Sequence, residues 1–258
     1  LSGIFIADDF RSDLGFIRRT DILKINPQIE LKFWPKKGKI QRHSFSVMPI
    51  SIWRPELDYE NSDYTIISTW EANFQNSSQL RFQMFNRYVK LYDEFDPTRT
   101  DDAIPLPADQ NYYYTSFEVS FRSDQRKKVS YRINPSVGQF FNGNKYSLES
   151  SLSLRLQPYF SGSIQMNYDK IDLPDPYPDA SIWLIGPKID ITFTKNMFWS
   201  TFFQYSTQRE NFSINTRFQW RVAPLSDLFL VYNDNYSTTV FSPRFRSLNL
   251  KFTYWLNI

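Results

Sequence analysis

The sequence has no cysteine, which excludes disulfides and a lipid-modified cysteine anchor; cysteine-free chains are common among proteins that cross an oxidising periplasm. It also has no run approaching the roughly 18–20 consecutive apolar residues that a membrane helix requires, so a helical membrane protein is excluded while a strand-built one is not. The single histidine, His43, and the missing cysteines leave no ligand set for a metal held by several His or Cys, and no cofactor is implied. Basic residues barely outnumber acidic ones, 30 against 27, and are scattered through strand-like segments, which argues against nucleic acid as a partner. Neither an initiator Met nor a basic-then-apolar leader stands at Leu1, so the chain is expected to be mature or a fragment, the C-terminal part of a longer protein.

What the chain does have is aromatic residues, 24 Phe, 16 Tyr and 7 Trp, in a sequence whose mean hydropathy is still negative. A soluble protein would bury so many rings among many more Leu, Val and Ala. Here apolar residues alternate with Ser, Thr, Asn, Gln, Lys and Arg, as though one side of each strand were wet. Residues 248–258 are the clearest case. Leu248, Leu250, Phe252, Tyr254, Leu256 and Ile258 share one face and, apart from Trp255, polar residues take the other. A strand of this kind at the C-terminus is how outer-membrane barrels usually close, although the last residue is more often aromatic than Ile.

From Asp21 onward, period-two segments recur between alternating tight and longer connectors. The tight set is 35–39 (PKKGK), 76–78, 123–127, 157–159, 195–197 and 223–227. The longer set includes 54–63, 93–110, 174–180 and 235–245, with compact members at Asn142-Gly143 and Arg209-Glu210. Short turns on the periplasmic side and longer loops outside would give this alternation. Thirteen strands follow from Asp21, residues 3–6 supply a fourteenth, and residues 7–20 fall in the first outer connection or its flanking strands. The expected fold is therefore all-β, one antiparallel up-and-down transmembrane β-barrel domain over residues 1–258 with about 14 strands, 12 and 16 being the alternatives. A soluble β-sandwich or ligand-carrying barrel also alternates and is the competing architecture. Tryptophans near strand ends, Trp34, Trp53, Trp183, Trp199 and Trp255, suit membrane-interface girdles.

The inward positions on this register include Lys24, Lys32, Arg81, Arg122, Lys128, Arg132, Arg155, Lys188, Arg217, Arg221 and Lys251, with the acids Glu30, Glu71, Glu118, Glu149, Asp169 and Asp190. That basic excess would attract small anions into a wet lumen; alternatively the charges pair across it and fill it. Catalysis finds no constellation. His43 shares parity with Phe45 and Val47, so Ser44 points the other way and the two cannot act as base and nucleophile. The acids 93, 94 and 96, followed by 101, 102 and 109, could suit a hard cation, yet lack an ordered ligand spacing with a turn glycine.

The segments QYS (204–206), NFSINTR (211–217), SDLFLVYN (226–233) and RSLNLKFTY (246–254), with GFIRR (15–19) and FFNG (140–143), resemble a known family. It is the C-terminal outer-membrane barrel domain, of unknown function, found in Gram-negative proteins that carry an N-terminal family-nine carbohydrate-binding-like domain. The likeness runs loosely along the chain and is specific mainly in the tail. It implies an upstream sugar-binding-like module and carries over no catalytic residue. The expected role is non-enzymatic: a barrel in the cell outer membrane, in contact with its lipid and with protein partners there, acting as an anchor or a subunit of a larger assembly. The alternative is a narrow pore or receptor for a small anionic or carbohydrate-like ligand.

Overall fold

The computed structural model describes residues 1–256 except Leu14, Arg18, Asp101 and Asp102. The expectations placed on those four residues and on Asn257 and Ile258 lie outside the described residues.

Alternation is realised as fifteen strands in one antiparallel sheet. They are β1 (Ser2–Ile6), β2 (Ile22–Asn26), β3 (Ile29–Phe33), β4 (Ile40–Arg54), β5 (Glu60–Phe74), β6 (Gln79–Leu91), β7 (Gln110–Arg122) and β8 (Val129–Phe140). β9 (Gly143–Leu156), β10 (Phe160–Asp172), β11 (Ala180–Thr194), β12 (Met197–Ser206), β13 (Asn211–Ala223), β14 (Ser226–Ser237) and β15 (Pro243–Thr253) complete the set. Hydrogen bonding runs in the order β1-β2-β4-β5 and then strand by strand to β15, with β3 paired to β4 off that path. Among the described residues no ladder joins β15 to β1, so the sheet is up-and-down with two open edges rather than a closed ring.

The extra strand has a local cause. The predicted strand before PKKGK is split at Pro27, which has no N–H to give the ladder. Ile25 opposite Ser51 and Ile29 opposite Val47 keep a single register with β4 across the break. The path therefore holds the fourteen strands expected, and β3 is the second half of one of them. The connectors also fall where the turn residues put them, but two expected long ones are shorter. β4 runs to Arg54 and β5 starts at Glu60, while β14 runs to Ser237 and β15 starts at Pro243. Polar residues such as Asn235 stay in the ladder there, opposite Ser213 and Phe245. The last strand is corrected as well: it stops at Thr253, opposite Asp227 one residue into β14, so Tyr254 and Leu256 have no rung to join. Instead the Trp255 N–H donates to Ser226 Oγ at 3.0 Å.

The chain groups into two compact units. The first comprises residues 1–121, 135–146 and 170–180; the second comprises 122–134, 147–169 and 181–258. In the first, β4 and β5 set Phe45 against Trp70 on one face and Ser44 against Glu71 on the other, and β6 continues the division with Phe82 and Arg81. In the second, Phe218 pairs with Trp199 and Leu230 on one face, while Arg217 pairs with Ser200 and Val231 on the other. Leu248, Leu250 and Phe252 of β15 join the apolar face, as the alternation requires.

Little of this apolar surface is buried. Among the described residues the buried hydrophobic side chains are Ala72, Leu106, Tyr114, Ile171, Leu173 and Ala180, all in the first unit. Connector 92–109 folds back on itself through the paired Phe95 and Leu106, which seals Leu106 completely. At Gly143 a Cβ would lie 2.1 Å from the Asp172 carbonyl oxygen, so only glycine lets the start of β9 approach the end of β10 this closely. No helix among the described residues is long and apolar enough to cross a membrane, which says nothing of crossing by strands.

Candidate functional site

The polar face carries most of the candidate residues, and each unit builds its own portion. In the first unit, Lys24, opposite Ile52, and Lys32, opposite Ser44, share the face of Glu71 and Arg81, as alternation demands. Glu71 is a hub. Its Oε2 accepts from Arg81 Nη2 at 2.8 Å and Nε at 3.0 Å, and its Oε1 accepts from Arg42 at 3.3 Å. Lys32 is spent on Glu30 at 3.0 Å. Arg87, opposite Thr65 on the same face, donates to Ser116 Oγ at 2.7 Å and lies 4.4 Å from the Phe85 ring.

At the end of these strands that carries connector 55–59, a denser network forms. Asp21, 1% exposed, sits in a left-handed conformation just before β2. Its carboxylate accepts from the Glu56 N–H at 2.9 Å and from Arg54 Nε at 2.8 Å. The Glu56 N–H first, and the Arg54 guanidinium with it, hold this carboxyl below its usual range against the opposing effect of burial. Arg54 lies 5.0 Å from the Tyr92 ring and Lys90 lies 5.1 Å from it. The Tyr92 hydroxyl donates to Glu60 at 3.1 Å, and burial, then that bond, pushes its pKa up to about 12. Arg19 pairs with Asp63 at 2.7 Å. These contacts tie the connection 7–21 to β4 and β5, and the described residues between β1 and β2, left open between connector and strand by the sequence, lie in the connector. The carboxylates of Asp21, Glu60 and Asp63 are all engaged, so the group clamps structure.

In the second unit, Lys188 pairs with Asp190 at 3.0 Å, and Asp190 also accepts from Ser200 at 2.7 Å. Arg221 reaches Asp227 at 3.5 Å. Lys251 stands opposite Phe229, and Arg217 and Arg221 share its face. Arg155 donates to the Gln125 carbonyl, and the Arg122 Nε is buried without a partner. A polar cavity of about 230 Å³ brings together Arg132, Asn134, Glu149, Ser151, Gln165 and Asn167. Here a cation and an anion from the sequence-derived set, Arg132 and Glu149, line the same space. Glu118 lies in β7, within the first unit.

His43 stacks on Trp70 at 5.9 Å on the apolar side, opposite in facing to the buried Ser44, which leaves no nucleophile and base pair there. Asp96 spends its carboxylate on Thr98 and on the Thr100 N–H, so the acidic connector is a capped turn, and no group of three metal-ligating side chains occurs among the described residues. Of the girdle tryptophans, Trp53 and Trp199 lie on the apolar face, opposite Asn61 and Phe218, and Trp183 shares the parity of Ile185 on that face. Trp34 and Trp255 lie beyond the ends of β3 and β15.

Residues 5–179 match the family described as Domain of unknown function (DUF5916), a span covering more than half of the chain. The chain belongs to the DUF5916 family. Comparison with curated proteins and with solved structures returns no match. The DUF5916 match includes GFIRR and FFNG but ends before the tail segments at 204–254, where sequence reading placed the most specific likeness. The DUF5916 chain also holds a site that sequence reading missed. Asp234, 3% exposed, lies on the apolar face opposite Ile214 and Arg246. It accepts from Arg246 at 2.9 Å and from the Tyr232 hydroxyl at 2.5 Å, three residues from the end of β14. Its sequence signal is an acid and a base at facing positions of the apolar face on neighbouring strands.

Proposed function

We propose that this DUF5916 chain is a non-enzymatic β-barrel of the cell outer membrane, serving as a membrane anchor or as a subunit of a larger outer-membrane assembly. One observation carries the reading. In the second unit no hydrophobic side chain is buried among the described residues, yet Leu152, Leu154, Trp199, Trp220, Leu230, Leu248, Leu250 and Phe252 are each more than one-third exposed. Each such side chain, about half exposed, forgoes roughly half of the 1.5–3 kcal/mol that full burial supplies. The eight together forgo about as much as a whole domain's stability of about 5–15 kcal/mol. Lipid supplies the missing cover, and soluble proteins rarely leave so much contiguous apolar surface open. The competing soluble sandwich needs a second layer over this face.

Closure into a barrel is part of the proposal. The outer edges of β3 and β15 carry exposed apolar residues, Ile29, Leu31 and Phe33 on one and Leu248, Leu250 and Phe252 on the other. Open edges of this kind template aggregation unless they are paired. An upstream family-nine carbohydrate-binding-like domain, as the sequence resemblance implies, is the module that such a barrel would anchor.

The anchor reading is supported by the way polar-face charges are consumed in pairs at Glu71, Asp190 and Asp227. A second reading, a narrow pore or receptor for a small anionic or carbohydrate-like ligand, is favoured by the cavity of Arg132 and Glu149. Outer-membrane fractionation with heat-modifiability on gels tests the barrel: a folded band that shifts on boiling supports it, and a soluble, unshifted protein refutes it. Single-channel conductance separates the two roles, since a steady anion-selective current marks a pore and silence an anchor.

A further inference from the structure

We infer that an apolar groove on β3–β6 and the lysines of connector 34–39 form one site for an anionic phospholipid, its acyl chain in the groove and its phosphate on the lysines; this rests on the membrane placement proposed above. The groove lies within the first unit and measures about 420 Å³. Ile29, Leu31, Phe45, Val47, Trp70 and Phe82 form its walls. Ser68, between Val47 of β4 and Met84 of β6, is the small residue that opens the furrow between these larger side chains. Such a lining offers a polar ligand almost nothing and a hydrocarbon chain continuous contact.

The chemistry changes at the end of the groove. Phe33 ends β3, and the connector then presents Lys36, Lys37 and Lys39, all exposed and none in an ion pair among the described residues. The nearby acids are turned away and occupied: Glu30 and Glu71 lie on the opposite face, paired with Lys32 and with Arg42 and Arg81. The connector is held in place, because the Gln75 N–H donates to the Lys39 carbonyl at 3.0 Å and Gln75 Nε2 to the Gly38 carbonyl at 2.9 Å. Gly38, at φ 102°, makes the turn that an L side chain would strain. Between lysines and groove, His43 stands opposite Phe33 with a buried Nδ1 that has no hydrogen-bond partner.

The other end of the same strands has the opposite sign. Connector 55–59 carries Glu56 and Asp58 and no base, so of the two ends of these strands connector 34–39 is the one that suits an anionic headgroup. In the second unit, connector 123–128 repeats the basic composition with Arg126, Lys127 and Lys128 beside the single acid Asp124. A lysine beside an anionic lipid surface is worth on the order of fivefold in affinity, so three give roughly a hundredfold at most.

The test uses the protein produced in an outer membrane and extracted in zwitterionic detergent. It is titrated with phosphatidylglycerol or phosphatidylcholine of equal chain length, and bound lipid is counted by native mass spectrometry. Wild-type protein should retain phosphatidylglycerol about tenfold or more over phosphatidylcholine. The K36Q/K37Q/K39Q variant should lose that preference while keeping its phosphatidylcholine retention, and Ser68→Trp, which fills the furrow, should lower retention of both. Equal retention of the two lipids by wild type, a preference that survives in the lysine variant, or full competition by glycerol phosphate alone would overturn the site. Insertion into neutral phosphatidylcholine vesicles reports on the membrane reading separately: insertion without lipid preference removes the site alone, whereas failure to insert removes both.

Discussion

Leu230 gives the sharpest test of what covers the apolar face. It lies mid-strand in β14, between Phe218 of β13 and Leu250 of β15, and is 39% exposed in the isolated chain. If that face met water, Leu230→Arg would be an ordinary surface change, within about 0.5 kcal/mol of neutral. If it meets hydrocarbon, an arginine near the midplane costs about 2–4 kcal/mol. That corresponds to roughly thirtyfold to a thousandfold in the folding equilibrium. Asn249→Arg is the matched control on the polar face, opposite Val231. It gives up one hydrogen bond to Ser247, 3.3 Å long, worth about 0.5–1.5 kcal/mol. Reversible urea unfolding in phospholipid vesicles measures both. A Leu230→Arg cost within 0.5 kcal/mol of zero, or an Asn249→Arg cost exceeding it, would refute the lipid-facing assignment.

Lipid-soluble photolabels should mark Phe218 and spare Arg217; labelling of Arg217 would reverse the faces of β13. Asp124 accepts from Arg126 Nε at 2.9 Å and from its N–H at 3.0 Å, which holds its carboxyl at about 2. A carboxyl depressed on folding adds stability that is complete above about pH 4 and lost as pH falls through about 2. Arg126→Gln should therefore raise the Asp124 titration seen by carbon NMR, and an unmoved titration would remove the side-chain pair as its cause. Trypsin added to intact cells should cut after the exposed Arg99 in connector 92–109 and leave Lys36, Lys37 and Lys39 intact; the reverse pattern would invert the topology.

The strands from β4 onward were legible because two local signals agree in each: period-two alternation, and turn residues such as Pro224 and Asn196 at its ends. Facing follows from alternation alone, so Arg217 against Phe218 and Lys251 against Phe252 are placed without knowing any partner. What escaped the sequence depends on which distant residues meet. Asp21, Arg54 and Glu56 look like unrelated charges in a connector and a strand end until the chain folds 7–21 back onto β4. Leu106 sits in an acidic, proline-containing connector that reads as solvated, yet its pairing with Phe95 buries it. The cavity around Arg132 and Glu149 likewise needs β8, β9 and β10 side by side.

The Asp234–Arg246 pair shows what alternation alone gets wrong. A register built only on apolarity would treat an acid on the outward face of β14 as an error costing several kcal/mol. The fold lowers that cost in three ways, although Asp234 Oδ1 stays buried without a partner. Arg246 stands directly opposite Asp234, two tyrosines, Tyr232 and Tyr236, hydrogen-bond the pair, and β14 ends three residues later at Ser237. Charged groups near a membrane interface cost far less than at the midplane, and tyrosine is enriched at that level. The same register that sends Asp234 to the apolar face sends Leu230 there two pleat repeats deeper. The pair therefore marks where the apolar band stops: charge is tolerated at 234 and should not be tolerated at 230.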